Sequence, residues 1–195
     1  LNAAQIASGN GTSGITLTYT QPGTATSTIT SQIGTSTSQG VNAAPDNAIA
    51  NTGGIFIADV RAQVSFPTTV NAGQPVSGTV RFSNVGPSTA AAVGYTFTMS
   101  TGLTGVTFGN LPAGATASYN PTTGAVTFAG MPTSLTPSQV ASGDGSTGIT
   151  VNYTQNSVAN TTNTAVITTT TNQGANLAPD TESATVTGAL IADVT

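Results

Sequence analysis

The chain has no cysteine, histidine, tryptophan or lysine, and its only cationic side chains are Arg61 and Arg81. Each absence closes a line of function. Without Cys there are no disulfides and no thiolate metal sites. Without His, Cys and Lys the commonest general bases and activated nucleophiles are missing. Without Lys no Lys–Asn isopeptide bond can staple the fold. Two cations in 195 residues leave no electrostatic footprint for nucleic acid. No apolar run approaches the roughly 20 residues that span a bilayer, so no membrane span is expected in this segment. No charged stretch precedes a short apolar one, so no signal peptide is read, and Leu1 reads as the middle of a domain.

Charge of either sign is scarce. Charged residues make up 4% of the chain, against roughly a quarter in globular domains. The six carboxylates are Asp46, Asp59, Asp144, Asp180, Glu182 and Asp193, and the net charge is -4. Disorder requires low hydrophobicity together with high charge, and here 37% of residues are hydrophobic, mostly Val, Ile, Ala and Leu. The polar surface is left to Thr, Ser, Asn, Gln and Gly. That composition suits many short strands joined by tight turns.

A repeat is plain. LNAAQIASGNGTSGITLTYTQ, from Leu1 to Gln21, matches LTPSQVASGDGSTGITVNYTQ, from Leu135 to Gln155. QGVNAAPD, from Gln39 to Asp46, matches QGANLAPD, from Gln173 to Asp180, and IADV recurs at Ile57 and Ile191. Leu135 against Leu1 sets the offset at 134 residues, it holds without a gap, and about half of the 61 compared positions are identical. A unit of this length is a domain, longer than the roughly 20–50 residues of a solenoid repeat. The expected organisation is the C-terminal part of one repeat over residues 1–60, an incomplete sandwich, followed by a complete repeat over 61–195.

Hydrophobic residues alternate with period two. Val76, Gly78, Val80 and Phe82 share one face, and Ser77, Thr79, Arg81 and Ser83 share the other. Val93, Tyr95, Phe97 and Met99 repeat the pattern, as do Ile149, Val151 and Tyr153. Such alternation predicts half-buried antiparallel strands. Tyr119 to Val126 reads as a hairpin around a Pro/Gly turn, and Asn84 to Ser88 as a further connection. Thr133 to Ala141 is expected to be a helical turn or a loop. Seven or eight strands with no long helix-period stretch predict an all-β, immunoglobulin-like antiparallel β-sandwich, with Val80, Phe82, Tyr95, Phe97, Val151, Tyr153 and Ile167 in its core. At the seam, Val186, Gly188, Leu190, Ala192 and Val194 form an alternate row, and Val60, Ala62, Val64 and Phe66 form the next. A flexible linker would be polar and Gly/Ser-rich. The last strand is therefore expected to lead almost directly into the next domain, making a stiff rod.

The stretch from Ile57 onward resembles the bacterial surface-protein repeats catalogued as domain of unknown function eleven. The features are Ala58-Asp59-Val60, the turn Ala72-Gly73, the strand Val76 to Phe82, the turn Asn84-Val85-Gly86-Pro87-Ser88-Thr89-Ala90, and the hairpin Tyr119-Asn120-Pro121-Thr122-Thr123-Gly124. Asn176 to Thr187 is similar to the closing turn and last strand of that family. The chain departs from the pattern at Met131 to Thr147, a longer Ser/Gly-rich insertion. The resemblance implies tandem immunoglobulin-like domains in long secreted or surface-anchored adhesins and stalks, and it carries over no catalytic residue.

Candidate chemistry is thin. Asp180 and Glu182 are the only carboxylates close together in one motif, and the earlier copy has Ala48 where Glu182 stands. The chain is read as not an enzyme, with no catalytic, cofactor-binding or metal-binding residue assigned. Calcium is the one ion left open, since it takes six to eight oxygens from carboxylates and carbonyls. Asp59 and Asp193 at the seams, Asp46 and Asp180 in turns, and Asp144 in Gly143-Asp144-Gly145 are the candidates. Turn capping by Asp46 and Asp180, and backbone satisfaction by Asp59 and Asp193, account for them without a metal. Asn10, Asn152 and Asn160 head N-glycosylation sequons. The Thr168–Thr171 run suits the solvent face of a strand. Two classes of function remain. One is a structural repeat of a large extracellular surface protein, partnered by neighbouring copies in a rod or filament. The other is an adhesin module that binds a surface or carbohydrate. The missing strands of residues 1–60 are expected to come from the preceding polypeptide or from a neighbouring subunit by strand complementation.

Overall fold

A computed structural model describes residues 14–21, 26–41 and 45–190. The seam residues Ile191 to Val194, Asp193 among them, and the sequon at Asn10 lie outside the described residues. The chain divides into two compact units, Leu1–Ile55 and Phe56–Thr195. Among the described residues there is no helix, and all regular structure is strand.

The first unit holds one antiparallel hairpin, β1 (Ser27–Gln32) with β2 (Asn47–Thr52). The second contains, among its described residues, twelve strands: β3 (Val60–Ser65), β4 (Thr69–Asn71), β5 (Pro75–Asn84), β6 (Ala90–Ala91), β7 (Gly94–Met99), β8 (Thr104–Gly109), β9 (Thr116–Tyr119), β10 (Ala125–Ala129), β11 (Ser134–Leu135), β12 (Ile149–Thr154), β13 (Thr161–Thr168) and β14 (Thr181–Ala189). One sheet is ordered β3-β5-β12-β8 and is wholly antiparallel. The other is ordered β4-β14-β13-β7-β10-β9, and β4 with β14 is its parallel pair. The short β6 and β11 pair with each other.

The two sheets close on one core, as a β-sandwich does. Val60, Val80, Phe82, Ile149, Val151 and Tyr153 contribute from the first sheet, and Phe97, Ala165, Ile167 and Val186 from the second. Each side chain of this size contributes about 1.5–3 kcal/mol when fully buried. Phe82 stands edge-on to Tyr95 at 5.2 Å and to Phe128 at 6.0 Å between ring centroids. Gly78 leaves a notch on the inner face of β5, and the Phe66 ring fills the space a Cβ would need.

The expected hairpin is present. Val126 pairs with Tyr119, and the Asn120 carboxamide oxygen accepts from the Thr122 and Thr123 amides at 2.9 and 3.3 Å. Four details differ from the alternation rule. Tyr95 is half-buried rather than buried, because its hydroxyl donates to the Pro132 carbonyl at 2.8 Å near the sheet margin. Ser83, expected outside, is buried. The cause is the 136–143 segment, which is neither helix nor free loop but folds along the end of β5. The Ala141 amide donates to Phe82 O at 2.8 Å, and the Asn84 amide donates to Gln139 O at 3.1 Å. Leu135, Val140 and Ala141 are buried with it. The strand count exceeds seven or eight because long edge segments are divided. The chain from β3 to β4, for example, changes sheets at Phe66-Pro67-Thr68. Finally, the apolar row of the last strand breaks at Leu190, which is 80% exposed, and residues 53–59 between β2 and β3 belong to no strand.

Candidate functional site

Among the described residues no three acidic side chains form a group that could hold a metal ion. The described carboxylates each accept hydrogen bonds, some from their own loops and some from segments remote in sequence. The Asp144 carboxylate accepts from the Ser142 hydroxyl at 2.8 Å, the Ser146 amide at 2.9 Å, the Thr147 amide at 3.0 Å and the Thr147 hydroxyl. The Thr147 hydroxyl and the Ser146 amide lead in holding it far below the usual carboxylate range. A carboxylate so stabilised is a weak base, and it already accepts four hydrogen bonds within its own loop. Asp59 accepts from the Ala178 amide at 3.2 Å, and Glu182 accepts from the Val64 amide at 3.3 Å. These two therefore hold the 57–64 stretch against β14 and the turn before it. Asp46 and Asp180 do not cap their own turns as Asx residues. Each accepts from a glutamine seven residues earlier, Gln39 at 3.2 Å and Gln173 at 2.8 Å.

Two of the clefts in the second unit are equally spare. One of about 330 Å³ lies between Ile57, Val85, Pro87 and Leu177, with Asp59 its only charge. The other is a shallow depression between Phe66, Ser77, Thr79 and Thr150. Neither brings a nucleophile to a base. The Thr run is not a free hydroxyl ladder, since the Thr169 hydroxyl donates to Ala91 O at 2.7 Å and the Thr171 hydroxyl accepts from the Ala91 amide at 2.9 Å. Tyr19 and Phe56 are exposed aromatics, 42% and 55%, and neither lies in a loop between strands of the second unit.

Sequence reasoning missed a buried hub at Asn84. Its carboxamide donates to Ser88 O at 2.7 Å and Leu135 O at 2.9 Å, and accepts from the Asp59 amide at 3.2 Å and the Gly86 amide at 3.0 Å. One side chain thus joins the start of the unit, the turn after β5, and β11. Gly86 is required beside it, because a Cβ there would meet the Asp59 amide nitrogen and lie 2.5 Å from the Ala58 carbonyl carbon. The sequence signal was the Asn-x-Gly-Pro-Ser turn, which gives the turn but not the remote partners.

The feature that stands out as an interaction surface lies in the first unit. Its hairpin pairs Ser27 with Thr52 through Gln32 with Asn47, and β13–β14 pairs Thr161 with Val186 through Val166 with Thr181. These are the same six pairs, displaced by 134 residues. The closing bond also recurs, Ile33 N to Asp46 O at 2.8 Å and Ile167 N to Asp180 O at 2.9 Å. The surroundings differ. Ile15, Leu17 and Ile33 are 83%, 64% and 54% exposed, while Ile149, Val151 and Ile167 are fully buried. No family model matches the chain, and no curated protein matches its sequence.

Proposed function

We propose that the chain is a non-catalytic structural repeat of a large extracellular surface protein. In this reading its units are tandem immunoglobulin-like sandwiches, and neighbouring copies of the same repeat join them into a stiff rod or filament. The observation that carries it is the recurrence of one hairpin, in one register, 134 residues apart. A chain that repeats a scaffold, and whose described carboxylates accept hydrogen bonds from its own loops and strands, is suited to length rather than to turnover. The β4–β14 pairing adds support. The Thr187 amide donates to Thr68 O at 2.9 Å, and the Ala72 amide donates to Ala189 O at 2.8 Å. Early and late segments of the unit therefore lie side by side in parallel, and tension on its two ends loads those bonds together in shear. Small-angle scattering on polypeptides with two, three and four complete repeats tests the reading. A rod gives a maximum dimension that rises linearly with repeat number. Growth close to the square root of repeat number, as for flexibly linked beads, refutes it.

A further inference from the structure

The strands of the first unit stop where their ladder partners are missing. In the second unit, β13 continues past Val166 through Ile167 and Thr168, and those two residues pair with β7 alone. Their counterparts, Ile33 and Gly34, lie outside β1. Likewise β14 continues past Val186 through Thr187 to Ala189, which pair with β4 alone. Their counterparts, 53–55, lie outside β2. Residues 15–20 correspond to β12, which is held between β5 and β8, and they form no strand. The first unit therefore has the shape of the second with β4, β5, β7 and β8 taken away. Among the described residues, what remains is a two-stranded hairpin with no further strand on either side and an apolar segment without either of its neighbours.

We propose that this face is a docking site for the N-terminal half of another repeat, a segment equivalent to residues 57–134, supplied upstream on the same polypeptide. The inference rests on reading the chain as a run of one repeated module. The occupant is identified by the second unit, where residues 57–134 make every one of the missing pairings. In the second unit the 57–134 half runs directly into Leu135, the counterpart of Leu1, so the same order along the polypeptide favours an upstream source over a second copy. Open sheet edges beside exposed apolar residues otherwise pair unselectively, so covalent supply from upstream also protects the assembly.

The test is amide hydrogen exchange on the full chain and on the same chain extended before Leu1 by a copy of residues 57–134. That junction reproduces the natural step from Ser134 to Leu135. Amides of Ile15–Thr20 and Ser27–Ile33 are expected to exchange fast in the unextended chain. In the extended chain they slow to the rates of Ile149–Thr154 and Thr161–Ile167. Leu17→Asp in the extended chain is expected to abolish the gain in the first unit and to leave the second unit protected. Persistent fast exchange of 15–33 in the extended chain, with the second unit still protected, overturns the proposal. So does concentration-dependent protection of the unextended chain, which would make a second copy the partner. Scattering on the same samples separates this from the rod reading, because completed units that tumble independently defeat the rod and leave the docking intact.

Discussion

Replacing Asn84 with alanine removes four hydrogen bonds at once and tests whether that hub holds the second unit together. The Leu135 carbonyl and the Gly86 amide each lose a buried hydrogen bond, whereas Ser88 O and the Asp59 amide lie in partly buried surroundings that water can reach. An unsatisfied buried group costs about 1–3 kcal/mol, and a bond that water can replace costs less, so Asn84→Ala is expected to lose about 3–5 kcal/mol. Typical domains have about 5–15 kcal/mol in all. In a domain of this size the loss corresponds to a fall in Tm of roughly 10–20 °C. Urea titration reads it as a lower midpoint at unchanged slope. Asn84→Asp keeps both acceptor roles but sets a carboxylate against two carbonyl oxygens. Its deficit should match or exceed that of alanine at neutral pH and shrink on acidification, as the protonated acid regains a donor. A loss below about 1 kcal/mol for Asn84→Ala would show that water or local relaxation replaces the bonds, and the hub would not be structural.

The neighbouring Ser83 is the opposite case: its hydroxyl is buried and makes no hydrogen bond, so Ser83→Ala should be neutral or stabilising by about 1 kcal/mol in the same titration. Stability should be flat from about pH 5 to about pH 9, because the chain has no histidine. Asp144 is held low, so its contribution is complete above the free-carboxylate value of 3.8 and declines as pH falls from there toward the folded value. Tyr95 and Tyr153 are raised by burial, so theirs is complete below the free value of 10.0 and is lost as pH rises toward the folded values; a transition between pH 6 and 8 would contradict both statements. Melts with chelator and with added calcium should coincide, and a shift above about 10 °C would reveal a site. Trypsin has only Arg61 and Arg81 to cut, both within paired strands, so cleavage should track global unfolding. Early cutting at Arg61 in the native protein would mean that β3 opens locally.

Much of the fold was legible because a strand has a period of two. Val80, Phe82, Phe97, Val151, Tyr153 and Ile167 could be assigned to one core from alternation alone, and Asn120 to Gly124 could be read as a turn from its residue types. The repeat likewise fixed which residues of the first unit correspond to β13 and β14. Alternation assigns a face but not what covers it. Ser83 and Asn84 are buried because a segment more than fifty residues later folds along the end of their strand, and nothing in PVSGTVRFSN announces that. Asn84 shows the same limit at the level of one side chain, since its partners are remote backbone groups brought close only by the packed sandwich. Strand length was decided by tertiary structure too. The segments beginning at Ile15 and Ile149 are nearly the same sequence, yet one is an exposed stretch and the other a central strand. The physical reason is that a β-strand is not satisfied by its own residues: its backbone hydrogen bonds and one of its faces must be supplied by neighbours, and among the described residues it is the second unit that supplies them.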